Sequence, residues 1–350
     1  MNLSDKQKIE NSLKRIKNNE SNIYILTYDT KNNPRASVKY IYDLALTLMK
    51  NEFNVTLIVE DKNYNGVTSW LGEEYEKVKF THIKDEKLMI NVDDTLIVPE
   101  YYSNALEQLK DIKCTKIMLV QQKEYIFETL PIGAKWSHFG FNRVITTTEA
   151  SKKYILEYFP ESIVHIIPPM IGDNFSPTTD LVKPFIAISC RDRSLHKKII
   201  SEFYVKYPHL RWITFRDMVQ MSYEDFSSSL KECLVSVWCD EDSTFGTFPL
   251  ESIKSGVPVI GIVPKTEPDW MGENGIWVQD YNKLNNILGT FVTAWVNGVD
   301  FDDELTIKMK ETLLPYDSEI TKNNILSIFN SLKNKTIEKL ESILDKLEEK

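Results

Sequence analysis

Residues 239–260 read CDEDSTFGTFPLESIKSGVPVI, and the reading of the whole chain turns on how this stretch is punctuated. The apolar run Leu234–Trp238 before it has strand length. A polar loop follows, Gly246 marks a turn, and a helix runs to Ser255-Gly256 before Val257-Pro258-Val259-Ile260 resumes extended chain. Glycine at a turn lets backbone N–H groups come close to a ligand, and N–H groups that open a helix favour anions. Glu251 falls about one turn into that helix, on the end that faces the same loop. N–H groups for a phosphate beside a carboxylate for sugar hydroxyls outline a site for a sugar nucleotide.

Working outward, the same strand–loop–helix–strand order recurs. Asn22–Thr27 is an apolar run, the turn formers Tyr28 to Pro34 follow, and Ser37–Met49 is a helix with Val38, Ile41, Leu44, Ala45 and Leu48 on one face. Phe53–Val59 is the next strand, which completes a βαβ unit whose loop opens at the carboxyl end of its first strand. Further strands are expected at 77–83, 95–98, 116–120, 144–147 and 164–167, with helices through Leu109 and over 149–158. Pro168-Pro169 stops the last of these. A second domain opens with the strand Pro184–Ser189, a charged segment Cys190 to Lys198 and a helix from Ile199. Arg211–Phe215 is a strand, and Met221–Leu230 a helix with Ser222 as its N-cap. The segment 263–277 is turn-rich, and from Tyr281 the chain is mostly helical. Trp270 and Trp277 are read as core residues, with stacking on a ligand ring as the alternative.

Phe245-Gly246-x-x-Pro249-Leu250-Glu251 followed by Ser255-Gly256-Val257-Pro258-Val259-Ile260 resembles the signature of retaining GT-B glycosyltransferases of the glycogen-synthase and lipopolysaccharide-transferase type. The resemblance implies an α/β chain of two Rossmann-like domains facing across a cleft, with a C-terminal helical extension. It sets an acceptor-side domain at 1–177, a nucleotide-sugar domain at 178–317, and at 318–350 a helix returning to the first domain or forming a short coiled coil. The implied reaction moves a sugar from a nucleotide-diphosphate sugar, UDP- or GDP-linked, to an acceptor hydroxyl. It proceeds with retention and needs neither a metal nor a further cofactor.

The same resemblance assigns residues. Glu251 is implied to bind the ribose, and Arg191 and Lys197 to neutralise the donor diphosphate, with Arg193 and Lys198 as neighbouring candidates. A guanidinium offers a bidentate fork and an ammonium a point charge to such a leaving group. Ser243, Thr244, Phe245, Gly246 and Thr247 form the donor loop. Three positions depart from the family pattern. Ser243 stands where the first of two glutamates is expected, with Glu241 and Asp242 close by. Arg35-Ala36-Ser37 replaces a pair of glycines, which makes Arg35 and Ser37 donor-side candidates. Gln121 takes the place of a histidine beside the donor sugar; it can hydrogen-bond a hydroxyl but cannot titrate. His138, in KWSHFGFNR, is a further candidate for the cleft.

Composition limits the alternatives. A chain of 350 residues suits two cores. Net charge of −9 disfavours a protein built to grip nucleic acid. Four scattered cysteines without a C-x-x-C pair read as reduced thiols, not as a zinc or disulfide framework. No apolar run approaches a membrane span and the start has no signal-peptide core, so the expected location is cytoplasmic, with peripheral contact at a membrane surface through the basic helix 3–17 as a variant. The five histidines show no metal-ligand spacing. The apolar stripe Ile337, Leu340, Leu344 and Leu347 resembles a coiled-coil seam, so residues 335–350 are a candidate for homo-oligomer contact, with packing on the body as the alternative. Acceptors compatible with this reading are carbohydrate, lipid-linked, protein or modified-nucleobase hydroxyls. Two further readings stay open: the same fold glycosylating a modified nucleic-acid base, and a catalytically inactive binding subunit.

Overall fold

The computed structural model describes residues 3–178, 182–299 and 303–348. The chain divides into two compact units, residues 1–168 with 319–350 and residues 169–318. The first boundary therefore falls at Pro168/Pro169, upstream of the Pro177 read from sequence.

The first unit is a seven-stranded, wholly parallel sheet. Its strands are β1 (Asn22–Leu26), β2 (Asn54–Val59), β3 (Lys79–His82), β4 (Thr95–Pro99), β5 (Thr115–Val120), β6 (Arg143–Thr146) and β7 (Ile163–Ile166), in the spatial order β3-β2-β1-β4-β5-β6-β7. Its helices are α1 (Leu3–Lys17), α2 (Ala36–Lys50), α6 (Glu149–Tyr158) and three single-turn pieces, α3 (Thr68–Leu71), α4 (Leu106–Leu109) and α5 (Ile126–Thr129). The strands read as continuous apolar runs because helices cover both faces of a parallel sheet. Most residues of β1, β4 and β5 are accordingly buried.

The second unit is a five-stranded parallel sheet of order β12-β11-β10-β8-β9. It contains β8 (Lys183–Ser189), β9 (Thr214–Asp217), β10 (Cys233–Trp238), β11 (Val259–Ile262) and β12 (Ile276–Val278), with α7 (Arg193–Lys206), α8 (Tyr223–Glu232), α9 (Thr247–Lys254), α10 (Tyr281–Val296) and α11 (Asp303–Leu313). Ser222 caps α8 by accepting from the Asp225 N–H, as its sequence implies. Two boundaries differ from the sequence reading. Helix α7 starts at Arg193 and not at Ile199, because the Asp192 carboxylate accepts the Ser194 and Leu195 N–H groups at 2.8 and 3.1 Å and nucleates it early. The turn-rich segment ends in a short edge strand, β12, paired to β11.

The last helix, α12 (Ser318–Glu348), belongs with the first unit from Glu319 onward. Its stripe Ile337, Leu340, Leu344 and Leu347 packs against Ile9, Leu13 and Ile16 of α1. The seam read as an oligomer contact thus has an intramolecular partner; residues 349 and 350 of that segment lie outside the described part. The α1 helix is further held by Arg15, whose guanidinium meets Asp93 at 3.0 Å and Asp94 at 3.2 Å, and by Lys17 on Glu341. Its apolar residues Ile9, Leu13 and Ile16 are buried. Among the described residues no helix is long and apolar enough to cross a membrane.

Candidate functional site

Strand order locates a site in each unit. In an open parallel sheet, ligands sit outside the carboxyl ends of strands at the point where chain connections leave in opposite directions. In the second unit β8 leads through α7 to β9 on one side, while its other neighbour β10 leads through α9 to β11 and β12. The switch point therefore lies between β8 and β10, and the loops above it are 190–192 and 239–246. These are the segments that carry Arg191 and Gly246.

A buried carboxylate links the two loops. Asp240 Oδ1 accepts the Arg191 backbone N–H at 2.8 Å, and its Oδ2 is 3.7 Å from Arg191 Nε. Burial pushes the Asp240 carboxyl above the usual carboxylate range, and the nearby guanidinium opposes that shift. The Arg191 side chain itself stays 61% exposed, a cation held at its base with its head in solvent.

Gly246 takes a left-handed backbone, φ +70°, immediately before α9. A Cβ there would come within 2.5 Å of Trp238 Cζ2, so the ring at the end of β10 forces the loop to close over it with glycine at the contact. Trp238, Trp270 and Trp277 form one aromatic cluster with ring centroids 5.6–6.2 Å apart, and Trp270 Nε1 donates to the Phe245 carbonyl at 2.6 Å. The tryptophans are floor for the loop, in line with the core reading.

The two helix N-termini at this edge differ. Asp192 caps α7 from its N-cap position, whereas the N-cap of α9 is Gly246, which has no side chain to do so. N–H groups that open a helix favour an anion. Thr247 and Glu251 fall at i and i+4 of α9, with Ser255 at i+8 just past its end, so the three lie along one side of the helix. Glu251 is 5% exposed, and its carbonyl accepts the Ser255 N–H and hydroxyl at 3.0 and 2.9 Å.

The remaining donor-side candidates separate. Ser243 and Thr244 are buried, and the Phe245 ring packs edge-on to Tyr316 at 5.7 Å within the core, so Phe245 has only its backbone to offer a ligand. Arg193 lies on α7 and reaches away to Asp217 at the end of β9, with His196 4.0 Å from the same oxygen. Lys197 is exposed on α7, while Lys198 stands 4.3 Å over the Tyr281 ring and donates to its hydroxyl.

The switch point of the first unit lies between β1 and β4. The loop after β1 bends through left-handed backbone at Lys31 (φ +50°) and Asn32 (φ +63°), supported by Asp29 accepting the Lys31 N–H at 2.7 Å. These two residues make the turn that glycines would otherwise supply. Arg35 is exposed at the start of α2. Ser37 and Gln121 come together: Gln121 Nε2 donates to the Ser37 carbonyl at 3.1 Å, and the Tyr28 and Ser37 hydroxyls are 3.2 Å apart.

His138 is not there. It precedes β6, so it stands at the amino end of the parallel strands, opposite to Gln121, where its Nδ1 accepts the Lys135 N–H at 3.2 Å. A histidine that caps its own turn at the wrong end of the sheet has no place in this site.

Sequence reading missed Glu100. This residue follows β4 at the switch point, is 2% exposed, and accepts the Gln121 and Gln122 backbone N–H groups at 3.2 and 2.9 Å. Beside it Tyr101 buries a hydroxyl that has no hydrogen-bond partner, 5.4 Å from Tyr28 ring to ring. Burial is the largest influence on Glu100 and pushes its carboxyl from 4.5 to about 7. Because the folded value is raised, the neutral form is favoured on folding. That stabilisation is complete below the ordinary value and lost as pH rises through about 7. Relative to Glu100→Gln, the wild type is expected to lose roughly 3 kcal/mol between pH 5 and pH 8.5 in urea unfolding. A constant difference across that range would contradict the assignment.

One cavity lies elsewhere. About 560 Å³ in volume, it is lined by Ile276, Phe291, Trp295, Leu305 and Lys308 at the amino end of β12, away from the switch point. Strand topology marks the candidate site, since an open phosphate cradle need not be concave.

No protein-family model and no curated protein sequence matches this chain. Its fold nevertheless has solved counterparts. A sucrose-phosphate synthase from Thermosynechococcus elongatus superposes with a TM-score of 0.62 at 11% identity, covering 89% of this chain and 99% of its own. TarM from S. aureus gives 0.63 at 10% identity, with 90% and 99% covered. HepE from Anabaena, solved in complex with UDP-glucose, gives 0.61 at 11% identity, with 89% and 99% covered. The chain has the GT-B glycosyltransferase fold.

Proposed function

We propose that this chain is a glycosyltransferase that uses a nucleotide-diphosphate sugar as donor and an acceptor hydroxyl as nucleophile, with retention at the anomeric carbon. The observation that carries the reading is a coincidence of place. The amino end of α9, turned by Gly246, and the exposed guanidinium of Arg191 flank one topological switch point. As the anomeric C–O bond breaks, its electron pair passes to the diphosphate, whose charge grows. Arg191, Lys197 and the N–H groups after Gly246 stabilise that charge in place of a metal ion. Glu251 accepts the ribose hydroxyls. The nucleotide sugar is the co-substrate and no further cofactor takes part. Ser37 and Gln121 in the first unit face the donor sugar, with Tyr28 beside Ser37.

The solved counterparts support this reading by fold, and HepE's complex with UDP-glucose suggests UDP as the first nucleotide to try. Thermal shift with UDP-, GDP-, ADP- and CMP-sugars tests it, since a specific ligand raises the melting temperature by mass action. Glu251→Ala is expected to weaken binding of the stabilising nucleotide by ~1–3 kcal/mol in calorimetry. An unchanged affinity would remove Glu251 from the ribose role, and no stabilisation by any nucleotide would remove the transferase reading.

A further inference from the structure

Two cysteines stand side by side at the roots of the candidate loops. Cys190 follows the last residue of β8 and Cys239 the last residue of β10. The strands pair in parallel with Ser189 opposite Trp238, and the Cys239 N–H donates to the Ser189 carbonyl at 3.1 Å, so the ladder continues one step and sets the cysteines opposite each other. Adjacent strands run ~4.8 Å apart, inside the ~4.4–6.8 Å that separates the Cα atoms of a disulfide. The Cys190 thiol lies within hydrogen-bonding reach of the Asp192 and Cys239 carbonyl oxygens, at 3.3 and 3.9 Å, which places it beside the Cys239 residue. All four cysteines are free. Cys233 sits at the far end of β10 with its thiol on the Leu230 carbonyl, and Cys114 belongs to the first unit.

We infer that Cys190 and Cys239 form a dithiol modification site that a peroxide oxidises reversibly to an intramolecular disulfide. The Cys190 thiolate attacks one peroxide oxygen, the O–O bond breaks, and the departing hydroxide takes a proton to leave as water. The Cys239 sulfur then attacks the Cys190 sulfenic acid; the S–S bond forms, the S–O bond breaks, and the Cys239 proton leaves with the hydroxide as a second water. Two electrons pass from the sulfurs to the peroxide. The order of attack follows from the effect of each thiol on the other, which holds Cys190 below the usual thiol range and Cys239 above it. Burial pushes Cys114 and Cys233 up to about 12; Cys190 and Cys239 are buried as well, and what sets them apart is that they stand opposite each other on paired strands.

The next residues in the chain are Arg191 and Asp240, joined at 2.8 Å. Drawing the two sulfurs into a bond shifts both loops, so oxidation is expected to lower UDP affinity about tenfold. That consequence rests on the proposed function; the disulfide itself does not.

The full chain is treated with hydrogen peroxide, alkylated under denaturing conditions and digested with chymotrypsin. Cleavage after Trp238 separates Cys239 from Cys233, which trypsin leaves on one peptide. One cross-linked pair holding Cys190 and Cys239, released by dithiothreitol, is expected, and Cys239→Ser should stop at a dimedone-reactive Cys190. Alkylation of both cysteines after an exposure that fully oxidises glutathione, or a link to another cysteine, overturns the inference. UDP titration of the reduced and oxidised forms separates the two claims. No UDP binding by the reduced protein counts against the proposed function, whereas equal binding by both forms overturns the coupling.

Discussion

Replacing Arg191 by methionine is expected to lower sugar transfer ~100–1000-fold in kcat/KM while the melting temperature stays where it was. The side chain is 61% exposed, and its one ion pair among the described residues is the 3.7 Å approach to Asp240. Only the arginine side of this pair is exposed, and at 3.7 Å its contribution to stability is expected to be small. The tie between the loops survives the change, because the Asp240 carboxylate accepts the backbone N–H of residue 191. On the proposed function, what disappears is a bidentate cation for the departing diphosphate, an interaction that strengthens as charge develops. Arg191→Lys should recover part of the rate, since it restores the charge without the fork. Steady-state kinetics beside thermal melts decide the matter. Unchanged kcat/KM, or a loss that follows a drop in melting temperature, would contradict the assignment.

Gly246→Ala is expected to be strongly destabilising for the second unit. The backbone there is left-handed, φ +70°, and the added methyl meets Trp238 Cζ2 at 2.5 Å and Cη2 at 2.9 Å. Backbone strain and overpacking together are expected to cost ~2–5 kcal/mol. Gly298→Ala is the control: its φ is +77°, but nothing lies within 4 Å of the new methyl. There the conformational penalty acts alone, about 1–2 kcal/mol. Urea unfolding followed by tryptophan fluorescence measures both, because the affected loop rests on the cluster of Trp238, Trp270 and Trp277. Equal stability of the two variants would mean that the contact with Trp238 does not hold the loop.

Much of the fold is legible because the strands of a parallel sheet buried on both faces read as apolar runs, and most are followed by turn formers and a helix. What fails does so for identifiable reasons. The three residues of β12 carry too little pattern to rise above a turn-rich segment. The early start of α7 was signalled by Asp192 as an N-cap, but the charged run after it masks the helix. The stripe on α12 announces a packing partner without saying that the partner is α1.

Within the site, Gly246 and Arg191 are legible because each is a residue type with one outstanding physical property. The Asp240 link and the Glu100 anchor are not, since both depend on which strands end side by side. His138 illustrates the same limit from the other direction. Local sequence offers a histidine among aromatics, and only strand direction shows that it stands at the wrong end of the sheet.

The central claim is that the loop turned by Gly246 and the guanidinium from the neighbouring strand hold a nucleotide diphosphate. A crystal structure of the chain with UDP tests this most directly. The diphosphate should lie within hydrogen-bonding distance of the backbone N–H groups that follow Gly246 and of Arg191, with the ribose hydroxyls on Glu251. UDP found in the cavity lined by Phe291 and Trp295, or elsewhere with those groups untouched, would contradict the account.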